Sequence, residues 1–201
     1  MPRPPGYYPF MPAFPGIPVP PVVLAGYSYL RAVSKRALKK YVAEVPKKEL
    51  ELQVLDLYER FPAVKRYYNF VFNPREEEMV QEAKAKIKNE YFPTKRKRPR
   101  ARRSVAQKII KQYRSLGMDP SWVAELMIFN LETAVAFEVG RRVPEAFFKS
   151  MSNSFSEMTQ FVSTHQLLIL FKPRILLIYR AVLEAKWPQT TEFSRALDVL
   201  D

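Results

Sequence analysis

Nine residues, Lys-Arg-Lys-Arg-Pro-Arg-Ala-Arg-Arg from Lys95 to Arg103, set the tightest limit on how this chain can fold. Seven of the nine are cationic, and between Glu90 and Asp119 there are ten Lys or Arg and no acid. Charges packed this densely repel one another and cannot leave water unpaired. Pro93 and Pro99 keep the run out of a helix. It reads as a surface connector whose side chains fan outward, and its field attracts polyanions, of which nucleic acid is the commonest.

Composition excludes several chemistries. The chain has no cysteine and a single histidine, His165. Disulfides, thiolate nucleophiles, thiolate metal sites and multi-histidine metal sites are therefore all absent. Its 33 basic and 20 acidic residues give a net charge of +13, which favours solubility and anionic partners. A membrane-spanning helix needs about 20 apolar residues. The nearest approach, Leu167 to Leu183, is interrupted by Lys172, Pro173 and Arg174. Prolines break every early apolar run before a signal-peptide core can form. A cytoplasmic location is expected.

Residues 1–33 differ in kind from the rest, holding nine of the 18 prolines and three of the five glycines. Such spacing forbids helix and favours polyproline II, so a disordered leader is expected. PxxP registers such as Pro12 to Pro15 fit SH3-type grooves but recur by chance in proline-rich tails. A second expectation makes the leader non-native: Val33 stands just before the first helix, and an in-frame GTG start would be translated as valine in a longer gene.

From Ser34 to 201 the pattern is helical, with no alternating strand signal. The expected fold is a single all-α domain of about eight helices. Ser34 caps a helix to about Val45 and Pro46 opens a second, carrying Leu50, Val54, Leu57, Tyr58 and Phe61, the two forming a hairpin. Pro62 starts a short aromatic helix whose Tyr67, Tyr68, Phe70 and Phe72 read as core filling. Asn73, Pro74 and Glu76 spell a start signal for a helix to about Tyr91 that buries Val80, Ala83, Ile87 and Tyr91.

The basic connector spans 93–103. A capping box of Ser104 and Gln107 then opens a helix over about 105–116, closed by Gly117. On that helix Lys108, Lys111 and Arg114 gather opposite Val105, Ile109, Tyr113 and Leu116, so the basic surface continues from the connector. Asp119 and Pro120 open a nearly all-apolar helix to about Val139, expected to be central, with Arg141 and Arg142 complementing its dipole. Pro144 begins a long helix with a Phe and Met seam, from Phe148 to Val162. Its Ser150, Ser152, Asn153, Ser154, Ser156 and Thr159 read as a solvated face. Pro173 begins another helix, and a last one runs from about Thr191 to Leu200.

The segments Ser-Lys-Arg-Ala-Leu-Lys-Lys-Tyr from Ser34, Tyr-Tyr-Asn-Phe-Val-Phe-Asn-Pro from Tyr67 and Arg-Arg-Ser-Val-Ala-Gln-Lys from Arg102 carry a likeness. The chain resembles a family of short, uncharacterised, mostly bacterial proteins catalogued as a domain of unknown function, over about 34–186. The resemblance implies no activity, cofactor or catalytic residue. It implies that the proline-rich leader lies outside the family domain, and a bacterial origin would remove a nuclear-localisation reading of the basic run.

Three functions are weighed. The first is nucleic-acid binding, RNA or DNA, with phosphates held by Lys95, Arg96, Lys97, Arg98, Arg100, Arg102, Arg103, Lys108, Lys111 and Arg114. No RNP, KH, zinc-finger or basic-zipper signature supports sequence specificity. The second is a helical interaction module that docks an acidic protein through the same loop. The third is an enzyme: His165 reads as a polar cap at a helix end, and Glu125 and Glu132 read as the exposed edge of one helix rather than a metal pair. No catalytic residue, metal site or cofactor is assigned. For the leader, intact mass of the natively expressed protein is the measurement: the GTG reading requires a chain that starts at position 33.

Overall fold

The computed structural model describes residues 34–95 and 98–200. These form nine α-helices and a closing 3-10 turn, with no strand among the described residues: α1 Lys35–Glu44, α2 Lys47–Arg60, α3 Pro62–Phe72, α4 Glu76–Tyr91, α5 Arg103–Leu116, α6 Pro120–Glu138, α7 Glu145–Thr164, α8 Leu168–Glu184 and α9 Thr190–Leu197. The all-α fold expected from the sequence is thus observed, and the 1–33 leader lies outside the described residues. Contacts divide the chain into two units, up to Tyr68 and from Asn69 onward. No helix of the described residues is long and apolar enough to cross a membrane.

The larger unit is built on α6. Ten of its residues are buried, among them Leu126, Ile128, Leu131 and Phe137, and it touches α4, α5, α7 and α8. Asp119 caps it, accepting from Ser121 N at 2.8 Å, with Pro120 in the first turn where a missing N–H costs nothing. α7 lies against α6 and α9 and buries Met151, Phe155 and Met158 completely. α4 buries Val80, Ala83, Ile87 and Tyr91, as its spacing predicts. The Tyr91 hydroxyl donates to Asn130 Oδ1 at 3.0 Å, which satisfies a polar group placed among apolar side chains. Burial pushes the Tyr91 phenol far above its ordinary pKa and keeps it a donor.

Several starts and faces differ from expectation, each for a local reason. Asn73 does not cap α4: its N–H bonds to Asn69 O at the close of α3, and α4 begins at Glu76, with Arg75 in the cap position and Glu76, Glu77 and Glu78 in the first turn. α5 begins at Arg103, so Ser104 lies inside the helix and makes no cap. Gln107 instead donates to Glu157 on α7, at 2.8 Å. α8 begins at Leu168, and Pro173 sits within it. The carbonyl deprived of a partner is that of Ile169, a residue 94 % exposed, so water can replace the lost bond.

The serine side of α7 is solvated only in part: Asn153 and Ser156 are exposed, whereas Ser152, Ser154 and Thr159 are buried. Hydroxyls along this helix bond back to its own carbonyls, Ser154 to Ser150 O at 3.1 Å and Thr159 to Ser156 O at 3.1 Å. Small side chains satisfied in this way let neighbouring backbones approach closely.

The smaller unit joins α1 to α2 through Gln53, whose amide donates to the Tyr41 hydroxyl at 2.7 Å. Ser34 caps α1 as expected, accepting from Ala37 N at 3.2 Å. Of the aromatic residues of α3, only Phe70 joins a core among the described residues. At about 100° per residue, positions 67, 68, 70 and 72 fall around the helix instead of on one side. Phe70 packs against the core of the larger unit. Tyr68 meets Tyr58 edge-on at 6.3 Å, and Phe72 is 81 % exposed. Two substitutions separate these environments in chemical denaturation: Phe155→Ala costs about 3–5 kcal/mol, and Phe72→Ala changes stability by less than about 0.5 kcal/mol.

Candidate nucleic-acid interface

The basic connector leaves α4 at Phe92, whose N–H bonds to Lys88 O at 2.7 Å, and returns to it eight residues later. Glu90 closes the excursion. Its carbonyl accepts from Arg100 N at 3.0 Å and Ala101 N at 2.9 Å. Its buried carboxylate accepts the Arg102 fork, Nε at 2.9 Å and an Nη at 3.2 Å. This double bond places a delocalised cation against a delocalised anion in one plane, the strongest ordinary form of such a pair. The hydrogen bond to Glu90, and then its charge, hold the Arg102 guanidinium even further above the usual range than arginine already is. Ala101 takes a left-handed backbone, φ 47°, to make the turn. At the other end Thr94 N donates to Asn89 Oδ1 at 3.3 Å.

Pinned at both ends, the connector presents Lys95, Arg98 and Arg100, all exposed; Arg96 and Lys97 lie outside the described residues. Arg102 and Arg103 are anchors. Arg103 donates to Ser154 Oγ at 2.8 Å and to Glu157 Oε1 at 2.5 Å, tying the start of α5 to α7. Beyond them Lys108, Lys111 and Arg114 are exposed along α5, with the Arg114 guanidinium 5.3 Å from the Phe161 ring centre. α5 ends at Gly117, φ 77°, as its position past the last apolar residue predicts.

Two further cations join this surface. Lys86, ion-paired to Glu82 at 3.6 Å as its i, i+4 spacing predicts, also lines a shallow cleft of about 500 Å³ with Asn89, Arg102, Ser104 and Lys108. Arg141 does cap α6, donating to Phe137 O at 2.9 Å. Its guanidinium also lies 5.5 Å from the ring of Phe92, the residue from which the connector departs. Helical spacing shows the first role of each residue; only the tertiary packing of α4 on α5 and α6 shows the second.

A separate charge cluster corrects the reading of Glu125 and Glu132 as an exposed edge. Arg174 of α8 donates to both, reaching Glu132 through Nε and an Nη at 2.8 Å each and Glu125 through both terminal nitrogens. Lys84 of α4 reaches Glu125 Oε1 at 2.6 Å. Four charges of balanced sign thus clamp α4, α6 and α8. Burial raises the Glu125 pKa, but the hydrogen bonds and charges of Arg174 and Lys84 outweigh it and leave the carboxyl below its usual value. The carboxylates' seven-residue spacing gave no sign of this, because their partners lie 41 residues or more away in sequence.

The fold and its surface define a basic, all-helical domain with an anchored cationic loop. By sequence the chain belongs to a family of unknown function (DUF6155), matched over residues 33–201. Comparison with curated proteins and with solved structures gave no match.

A lowered carboxyl pKa stabilises the folded state above the unfolded value and loses that contribution as pH falls through the folded one. Urea unfolding across that range should show stability declining below about pH 4.5, the ordinary glutamate value. In Glu125→Gln the decline should be shallower. Arg174→Ala, which takes from Glu132 its guanidinium and leaves Glu125 only Lys84, should lose about 2–4 kcal/mol at neutral pH.

Proposed function

We propose that this domain binds nucleic acid through the phosphate backbone, without sequence specificity, using the connector and the adjoining face of α5. The observation that carries the reading is the loop itself. A cationic run held by Asn89 at its start and by Glu90 at its return projects Lys95, Arg98 and Arg100 beside the exposed Lys108, Lys111 and Arg114. The acids nearest this surface are already matched: Glu90 by Arg102, Glu157 by Arg103 and Glu82 by Lys86. The field presented to a polyanion is therefore positive. Arginines in such a setting suit bidentate phosphate contact, and lysines act as point charges.

Anchoring matters to affinity. A loop already closed loses less conformational freedom on binding than a free tail of equal charge. Arg102 and Arg103 serve this reading as supports, which separates their substitution from that of the projecting cations.

The test is binding to duplex DNA and to mixed RNA between about 50 and 200 mM salt, the range over which six phosphate contacts cost on the order of a thousandfold in affinity. Replacing Lys95, Arg98 and Arg100 with glutamine should lower the slope of log K against log salt by about 2.7 on duplex DNA, roughly 0.9 per contact. Replacing Lys108, Lys111 and Arg114 should do the same. Arg103→Gln should leave the slope intact and lower the melting temperature. Binding that is absent, or that keeps its slope after the loop is neutralised, refutes the proposal and turns attention to an acidic protein partner.

A further inference from the structure

Where α5 meets α4, its surface changes character from one row of side chains to the next. Ser104 and Lys108 stand four residues apart on one row, and Val105 and Ile109 on the row beside it. With Lys86 of α4 and Arg102 at the foot of the connector, these four line the recess of about 500 Å³ between the two helices. Its cations have capacity to spare. Arg102 commits Nε and one terminal nitrogen to the Glu90 carboxylate, and its other terminal nitrogen bonds to nothing among the described residues. Lys86 is held by Glu82 at 3.6 Å, in a pair whose members are both largely exposed, and a pair of that kind is weak enough to yield to a stronger anion. Lys108 makes no ion pair among the described residues and is exposed.

Building on the phosphate-binding reading above, we propose that this recess takes a phosphate monoester, the phosphorylated end of a nucleic-acid strand. Charge separates an end from a strand passing by. Lys86, Arg102 and Lys108 bring three positive charges to the recess and Glu90 brings one negative, which leaves two positive. A phosphate monoester carries close to two negative charges at neutral pH, its second pKa being about 6, whereas an internal phosphodiester carries one. Shape separates them too. The connector and the outer row of α5 project their cations, and a strand can run across them. The recess lies between two helices, and an internal phosphate, joined to a nucleotide on each side, must bring both arms out again. A terminal phosphate has one arm. The Ser104 hydroxyl can donate to its oxygens, the free Arg102 nitrogen and the two lysines add charge-assisted bonds, and Val105 and Ile109 offer an apolar wall to the sugar or base that follows.

The test is fluorescence anisotropy of the full chain with one short single-stranded oligonucleotide in three forms: 5′-phosphorylated, 5′-hydroxyl, and 5′-phosphorylated with the phosphate blocked as its methyl ester. The phosphorylated strand should bind at least about tenfold tighter than the hydroxyl strand, the equivalent of one charge-assisted hydrogen bond. The blocked strand, whose end is again a diester, should fall back toward the hydroxyl form. Lys86→Gln should remove the preference and leave the hydroxyl strand's affinity little changed. Lys111→Gln deletes the same charge from α5 outside the recess, and should weaken all three strands alike while keeping the preference. Adenosine 5′-monophosphate should compete poorly, since it brings none of the strand's other contacts; displacement by it as effective as by the phosphorylated strand overturns the strand end as the ligand. A preference that survives Lys86→Gln, or a blocked strand that binds as well as the monoester, also overturns the proposal. Equal, salt-dependent binding of the phosphorylated and hydroxyl strands overturns it and leaves the backbone reading standing, whereas the absence of binding by any form removes both.

Discussion

A buried carboxylate placed beside a crowd of cations governs this domain. Glu90 ends α4 with its side chain inside the protein, a position that would cost several kcal/mol for an unpaired charge. Arg102 removes that cost, and the Glu90 carbonyl takes two backbone N–H groups of the returning chain. The basic run is thus fastened to the core at one residue, and the self-repulsion of its remaining cations acts on a loop whose feet cannot move. Arg103 carries the fastening on to α7 through Ser154 and Glu157, so the start of α5 is fixed from two sides.

Away from the loop the same logic recurs at Arg174, where four charges bind three helices. Between these two clusters lies an apolar interior in which α6 and α7 bury nearly one whole side each. Several of its polar groups are satisfied locally, Asn130 by Tyr91 and Ser154 and Thr159 by their own helix. An interior arranged in this way resists slippage of α4, α5 and α6 past one another, and those are the helices that present the projecting cations.

Much of this was legible in the sequence, because helix punctuation is local chemistry. Ser34, Asp119 with Pro120, and Gly117 sit where their caps and turns require, and the burial of Val80, Ala83, Ile87 and Tyr91 follows from spacing alone. The connector was legible as a surface segment because nothing else can be done with seven cations in nine residues. What escaped was long-range. Glu125 and Glu132 look solvated until Arg174 arrives from another helix, and Ser154 and Thr159 look solvated until their hydroxyls turn back to carbonyls of the preceding turn. Asn73 and Gln107 carry the right chemistry for caps, but Asn73 falls at the end of α3 and Gln107 turns its amide to Glu157 of α7. Arg102 and Arg103 cannot be told from Arg98 and Arg100 in the sequence, since all four differ only in which acid the fold brings near.

Fastening the loop at its base separates its length from the stability of the domain. The pairing of Glu90 with Arg100, Ala101 and Arg102 does not depend on how many residues lie between Thr94 and Arg100. Lengthening such a closed segment is cheap, about 0.6 kcal/mol for each doubling. Insertions, deletions and charge changes between Thr94 and Arg100 can therefore be made in this chain while the Glu90–Arg102 clasp is kept. The reach and strength of the cationic surface can then be retuned by insertion and deletion alone, with no compensating change in the helices beneath.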